Sequence, residues 1–355
     1  MEYKIFGKTG LRVSSLCLGT MTFGSNFYNI GAVNQNLADQ MVAKALEAGI
    51  NFIDTADVYS YGESEIILGK SLKNLSVNRE KVIIATKVKG AMSKEALQGT
   101  SDLNNVGLSK KHIIEACNNS LKRLGTDYID LYQIHGVDLI TSLLETLEAL
   151  DILVKQGKVI YIGCSNLASR HIMKALAISQ LKNLSSFVSL QAYYSLLGRD
   201  LEHELLPLCI EESLAIMTWS PLSGGFLSGK YTRDNPKPQG ARRSEFNFPP
   251  INEEKAYDTI DVLLGIAKER GVSPAQVALA WLLHQRGVTS VIIGANKMNQ
   301  LEDNIKSADL KLTKNEIDML SEVSAVKEIY PNWMISRQNV NRSEFFVTTM
   351  YKLYS

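Results

Sequence analysis

No stretch of this 355-residue chain approaches the roughly 18 uninterrupted apolar residues that a membrane span needs, so insertion into a bilayer is not expected. Charge of one sign is also missing. With 38 Lys and Arg against 37 Asp and Glu the net charge is +1, which argues against a nucleic-acid surface or a polyanionic partner. Cysteine is scarce: Cys17, Cys117, Cys164 and Cys209 are scattered with no Cys-x-x-Cys pair, and free buried thiols are expected. His112, His171, His203 and His284 lie on helical stretches without ligand spacing, so no metal is expected. The N-terminus, Met1-Glu-Tyr-Lys-Ile-Phe-Gly-Lys-Thr-Gly10, lacks a signal peptide's apolar core, which points to a cytoplasmic protein. No Gly-x-Gly-x-x-Gly follows the first strand, as a Rossmann domain would usually show.

What is present is a rhythm. An apolar fraction of 45% is enough for a full core. After a hairpin signal around Lys8-Thr-Gly10, β-branched runs at 15–20, 51–56, 82–88, 128–135, 159–166, 187–194, 215–222 and 289–295 read as strands. Helix-period stretches separate them, among them 37–48, 109–124, 141–156 and 169–181. Ser109 and Ser169 read as N-caps, Gly49, Gly125 and Gly157 as left-handed C-caps, and Pro274 as a first-turn proline after Ser273. Eight strand–helix units in series favour a closed (β/α)8 TIM barrel over a doubly wound sheet. The chain therefore reads as a single domain, residues 1–355, with the barrel at about 15–308. Two segments break the rhythm: a Gly-, Pro- and Arg-rich loop at 223–250 after the seventh barrel strand, and a tail at 326–355 whose Tyr330 and Trp333 suggest packing on the body.

Four polar residues stand at successive strand ends: Asp54 and Tyr59 in Asn51-Phe-Ile-Asp-Thr-Ala-Asp-Val-Tyr59, Lys87 in Val82-Ile-Ile-Ala-Thr-Lys87, and His135 in Tyr132-Gln-Ile-His135. In a parallel barrel those ends meet on the face that carries the active site. A Tyr beside a Lys and an Asp is a tunable acid, and a nearby His can donate to a substrate oxygen. Gly224-Gly-Phe-Leu-Ser-Gly-Lys230 has the spacing of a P-loop up to its last position, but Tyr231 stands where the Mg²⁺-binding hydroxyl belongs, and no nucleotide hydrolase is expected. Asp57 and Glu63 are catalytic carboxylates by type, but loop solvation or helix N-terminal charge explains them as well. Tyr193 reads as facing away from Tyr194.

These motifs make the chain resemble the aldo-keto reductases from about Tyr3 to Asn304. Asp54-Thr-Ala-Asp-Val-Tyr59 with Gly62-Glu-Ser-Glu, together with Lys87 and His135, is similar to the family's catalytic tetrad. Gly163-Cys-Ser-Asn166, Gln191-Ala-Tyr-Tyr194, Trp219-Ser-Pro-Leu222 and Gly294-Ala-Asn-Lys-Met-Asn-Gln300 resemble its cofactor-binding segments. The resemblance implies NADPH bound across the barrel mouth and an aldehyde or ketone as substrate. It implies that Ser165, Asn166 and Gln191 hold the nicotinamide carboxamide and that Tyr194 stacks on the ring. Thr20, Met21 and Asp54 join this set. Trp219, Ser220, Pro221 and Leu222, with Lys230 and Arg242, would hold the pyrophosphate, and Gly294, Asn296, Lys297, Gln300, Asp303 and Asn304 the adenosine end. Lys297, with Asn296 and Gln300, suits a 2′-phosphate. Tyr59 would be the general acid. The family also resembles potassium-channel β-subunits, so a cofactor-binding regulatory subunit is the alternative. Entry into the hairpin at Tyr3, with no longer leading segment, favours the enzyme. A barrel that only binds sugar phosphates would leave Tyr59 and Lys87 without a purpose. Substrate choice would rest on the loops after the first, fourth and seventh barrel strands.

Overall fold

The β-branched runs are buried on both faces, so each can be satisfied only by a neighbour on either side and a helix outside. The computed structural model describes residues 1–25, 33–239 and 241–340, with the backbone alone at 244 and 245. Strands β1 (Tyr3–Ile5) and β2 (Arg12–Ser14) form an antiparallel hairpin. Then β3 (Leu16–Gly19), β4 (Phe52–Asp54), β5 (Ile83–Val88), β6 (Ile129–Ile134), β7 (Val159–Ser165), β8 (Phe187–Tyr193), β9 (Ala215–Trp219) and β10 (Val288–Ile293) close into one parallel barrel, with β10 pairing β3. This is a (β/α)8 TIM barrel. Every expected strand is present, most of them a residue or two shorter than the apolar run.

The helices are α1 (Gln35–Glu47), α2 (Glu63–Asn74), α3 (Lys94–Gln98), α4 (Lys110–Leu124), α5 (Leu143–Lys155), α6 (Ser169–Lys182), α7 (Leu205–Glu211), α8 (Arg242–Glu245), α9 (Glu253–Arg270), α10 (Pro274–Leu283), α11 (Met298–Ile305), α12 (Lys314–Val323) and α13 (Asn332–Asn339). Ser109 caps α4 by accepting from the His112 amide, and left-handed Gly125 ends it. Ser273 caps α10 ahead of Pro274. The cap expected at Ser169 is instead Ala168; the Ser169 hydroxyl donates to Glu204, a charged acceptor in place of a backbone amide. None of the helices among the described residues is long and apolar enough to cross a membrane.

The hairpin seals the barrel floor. Phe6 and Val13 are fully buried, and Phe6 meets Phe52 edge-on at 5.6 Å. Gly7 sits at φ +57°, where an added Cβ would lie 2.6 Å from the Val188 carbonyl oxygen, so the seal requires glycine. With the floor closed, the opposite end is left for chemistry.

Both irregular segments are partly ordered by side chains. In the 223–250 loop, buried Arg243 donates to the Ser223 carbonyl at 3.1 Å and the Pro249 carbonyl at 2.8 Å, clasping the loop's two limbs. The tail is described to 340, and the remainder of the expected substrate wall, like 26–32 in the loop after the first barrel strand, lies outside the described residues. Asn332 ties the tail to the body by donating to the His203 carbonyl at 2.7 Å. The packing expected of Tyr330 and Trp333 is not found. Tyr330 is 73% exposed, and the two rings meet each other at 6.0 Å.

Candidate active site

Strand β4 ends at Asp54 and β5 carries Lys87, which places both at the open end. Lys87 is completely buried and donates to Asp54 Oδ2 at 2.5 Å, the Thr55 carbonyl at 2.8 Å and the Tyr59 hydroxyl at 3.2 Å. The Tyr59 ring meets the His135 ring edge-on, at 5.8 Å between centroids. All four members of the expected tetrad are therefore brought together. Tyr59 is held by a strained turn, since Ser60 (φ 48°) and Tyr61 (φ 52°) are left-handed without being glycine. Such strain persists only where surrounding packing enforces it, and it clusters at functional sites.

The charges are arranged for proton donation. Burial pulls the Lys87 ammonium down, but Asp54 and then Tyr59 more than offset it, so the group stays charged with its pKa above the usual value. Burial raises the Tyr59 phenol; Lys87 opposes this, and Asp54 adds to it. The net direction is upward, so Tyr59 rests as a neutral phenol with its proton in place, beside a cation that would stabilise a phenolate. Burial, followed by the Lys87 and Lys89 charges, pulls His135 down to about 3, leaving a neutral imidazole near pH 7.

One residue was not singled out by sequence. Gln133 donates to Asp54 Oδ1 at 3.1 Å, beside Gln191, which donates to the same oxygen at 2.8 Å. Strand alternation was the available signal: Gln133 lies two residues before His135 on the same pleat face.

Ser165 is 1% exposed and its hydroxyl has no hydrogen-bond partner among the described residues. Asn166 is left-handed at φ 58°, donates to the His135 carbonyl at 3.3 Å, and accepts from Trp219 Nε1 at 3.0 Å. Thr20 is buried, with its hydroxyl against the Asp54 carbonyl at 3.2 Å and Ser64 at 2.8 Å, while Met21 beside it is half-buried. Ser220 accepts from the Gly224 amide at 3.0 Å, ahead of buried Pro221 and half-buried Leu222. Lys230 is exposed; Arg242 is half-buried, and its Nε has no hydrogen-bond partner among the described residues. Gly294, Asn296 and Lys297 are exposed at the β10 end, where Gln300 accepts from the Asn296 amide at 3.0 Å and Asn304 donates to the Gly294 carbonyl at 3.5 Å.

Two expectations are corrected. Tyr194 does not face the mouth: it is 1% exposed, donates to Glu202 at 2.7 Å and packs on Trp281. Pleat alternation from Gln191 puts Tyr193 on the site side, where it meets Trp219 at 5.1 Å, and Trp219 in turn stacks on Phe248 at 5.6 Å. Asp303 turns toward the start of α10, accepting from Ser273 at 2.5 Å and Gln276 at 2.6 Å, because its short side chain reaches those donors first. Arg243, next to Arg242, is the loop clasp.

Comparison with known proteins agrees with this geometry. The model of the Aldo/keto reductase family matches residues 15–325. An uncharacterized oxidoreductase, YrpG, of Bacillus subtilis (strain 168) is 39% identical over 91% of this chain and 96% of its own length. Versiconal hemiacetal acetate reductase of Aspergillus parasiticus is 34% identical over 93% of this chain and 99% of its own. A probable voltage-gated potassium channel subunit beta of Oryza sativa subsp. japonica is 36% identical over 91% and 96% respectively.

Proposed function

The chain belongs to the aldo/keto reductase family, and from that premise we propose that it reduces aldehydes or ketones to alcohols, using NADPH and Tyr59 as proton donor. The observation that carries this reading is the buried Lys87 ammonium shared between Asp54 and the Tyr59 hydroxyl at 2.5 and 3.2 Å.

When bound, NADPH supplies hydride to the carbonyl carbon. Tyr59 gives its proton to the oxygen as negative charge grows there, and Lys87 stabilises the phenolate that remains. Asp54 keeps Lys87 charged and in place. Neutral His135 donates a hydrogen bond to the same substrate oxygen and orients it. The residues present fit the cofactor: the Ser165 hydroxyl and the Arg242 Nε are buried polar atoms with no hydrogen-bond partner among the described residues. Ser165, Asn166 and Gln191 would hold the carboxamide, and Trp219, in place of Tyr194, would offer the aromatic face. Arg242, Lys230 and the 220–222 backbone suit the phosphates, and Lys297 with Asn296 and Gln300 suits the 2′-phosphate. A cytoplasmic location goes with this reading.

A second reading is favoured by the rice channel-subunit relative, which matches along nearly the whole chain. NADPH oxidation followed against a panel of simple aldehydes and ketones separates the two. Turnover that depends on the carbonyl compound supports the reductase. Tight NADPH binding with no turnover on any of them supports a regulatory subunit.

A further inference from the structure

Lys87 is not the only cation at the barrel mouth. Two residues further along, just past the end of β5, Lys89 is half-buried and its backbone is held at φ 144°, a conformation that residues other than glycine seldom adopt. The surrounding chain enforces it. The Lys89 carbonyl accepts from the Gly107 amide at 2.9 Å, and Gly90 lies so close to Val58 that an added Cβ would fall 2.6 Å from the Val58 Cβ. Val58 precedes Tyr59, so the Lys89 turn is wedged against the turn that holds the proton donor.

The Lys89 side chain runs across the residue that follows His135. A Cβ built on Gly136 would stand 3.7 Å from Lys89 Cδ and Cε and 4.0 Å from Nζ. The charge is felt at the imidazole itself, since burial, then Lys87 and then Lys89 pull His135 down. Lys89 therefore lies on the rim between Tyr59 and His135, the two groups that face a carbonyl oxygen.

The two cations differ in what answers them. Lys87 is paired with Asp54 at 2.5 Å. The Lys89 ammonium enters no ion pair and no hydrogen bond among the described residues. Asp138, two residues beyond Gly136, turns its carboxylate instead to the Leu108 and Ile140 amides at 2.7 and 2.9 Å and to the Thr141 hydroxyl at 2.8 Å. Residues 26–32, which follow the first barrel strand, include no Asp or Glu. A lysine present only for solubility would need no strained backbone, and strain of this kind clusters where a ligand is held.

We propose that Lys89 selects carbonyl substrates that carry an anionic oxygen group, a carboxylate or a phosphate, and binds that group while Tyr59 and His135 take the carbonyl oxygen. This rests on the reductase reading of the same site and names its substrate class. An ammonium is a point charge that suits either anion, without the planar fork that a guanidinium presents. Two residues of extended chain cover roughly 7 Å, which matches an anion several bonds away from the carbonyl.

The test is steady-state kinetics of the full-length protein, saturated with NADPH, on benzaldehyde, 3-carboxybenzaldehyde and 3-formylphenyl phosphate. At least one anionic aldehyde should exceed benzaldehyde in kcat/KM by about tenfold or more, the scale of one charge-assisted contact, and the better of the two identifies the anion. Lys89→Met keeps the stem and removes the charge. It should erase that advantage through KM rather than kcat, and Lys89→Arg should retain most of it. Added salt should shrink the advantage in the wild-type protein. No advantage for either anion, or one that survives Lys89→Met, would overturn the proposal while benzaldehyde turnover still supports a reductase. No turnover of any of the three would overturn the reductase reading, and the proposal with it. If Lys89→Met does not fold, a wild-type advantage that salt leaves unchanged would overturn the proposal on its own.

Discussion

Gln191 and Asp54, 137 positions apart in the chain, meet inside the barrel, where the Gln191 amide donates to Asp54 Oδ1 at 2.8 Å. The other carboxylate oxygen holds Lys87. Asp54 thus links the residue that charges the proton donor to a strand on the far side of the barrel, and Gln133 from β6 completes the bracket at 3.1 Å.

Removing that bracket should be felt as stability. Gln133→Leu leaves Asp54 Oδ1 with Gln191 as its one remaining side-chain donor, and losing a hydrogen bond to a buried charge costs about 1–3 kcal/mol. Urea unfolding of the variant beside the wild type measures it. A loss below about 0.5 kcal/mol, the range of ordinary surface substitutions, would mean that Gln133 does not support Asp54.

The loop clasp gives a second expectation. Arg243→Ala removes the bonds to the Ser223 and Pro249 carbonyls, and so frees the limb that sets Phe248 on Trp219. Amide exchange at 246–248 should quicken by about tenfold or more while exchange in the barrel strands stays unchanged. Gly224→Ala should loosen the same contact from the other side, since its Cβ would fall 2.4 Å from the Phe248 carbonyl oxygen at φ +67°. Unaltered exchange in both variants would contradict the clasp.

Lys297 tests the cofactor. Lys297→Ala should weaken NADPH about ten- to a hundredfold and leave NADH nearly unaffected, because only NADPH carries the 2′-phosphate. Equal weakening of both cofactors by fluorescence titration would remove Lys297 from that role.

The His135 shift has a sign that can be checked. Its folded pKa, about 3, lies below the ordinary 6.5, so the folded protein binds fewer protons there than the unfolded chain. Stability from this site is complete above about pH 6.5 and falls as the pH drops toward 3. The His135 ring resonances in NMR should accordingly show no titration between pH 5 and 8. A midpoint near 6.5 would show a solvated imidazole.

Much of this was legible in the chain. Continuous apolar, β-branched runs separated by helix-period stretches marked all eight barrel strands, and the tetrad stood where those strands end. What sequence could not reveal was side-chain direction in three dimensions. Tyr193 and Tyr194 are chemically alike, and the pleat puts Tyr193 on the site side, packed on Trp219, and Tyr194 in the core. Arg242 and Arg243 are adjacent in an irregular loop without a period, so only tertiary contacts distinguish an open guanidinium nitrogen from a clasp. Asp57 reads as a loop residue, although it is buried beside Ala116, Asn119 and Arg123 of α4, an element remote from it in sequence.

The central claim is that Tyr59, acting through Lys87, delivers the proton. Its most direct measurement is single-turnover reduction of an aldehyde by Tyr59→Phe with NADPH prebound, alongside a titration of NADPH affinity. The account predicts a fall in rate of at least about a hundredfold, the lower bound for losing a positioned general acid, with NADPH affinity within a few-fold of wild type. A Tyr59→Phe rate comparable to wild type, with cofactor bound as before, would contradict it.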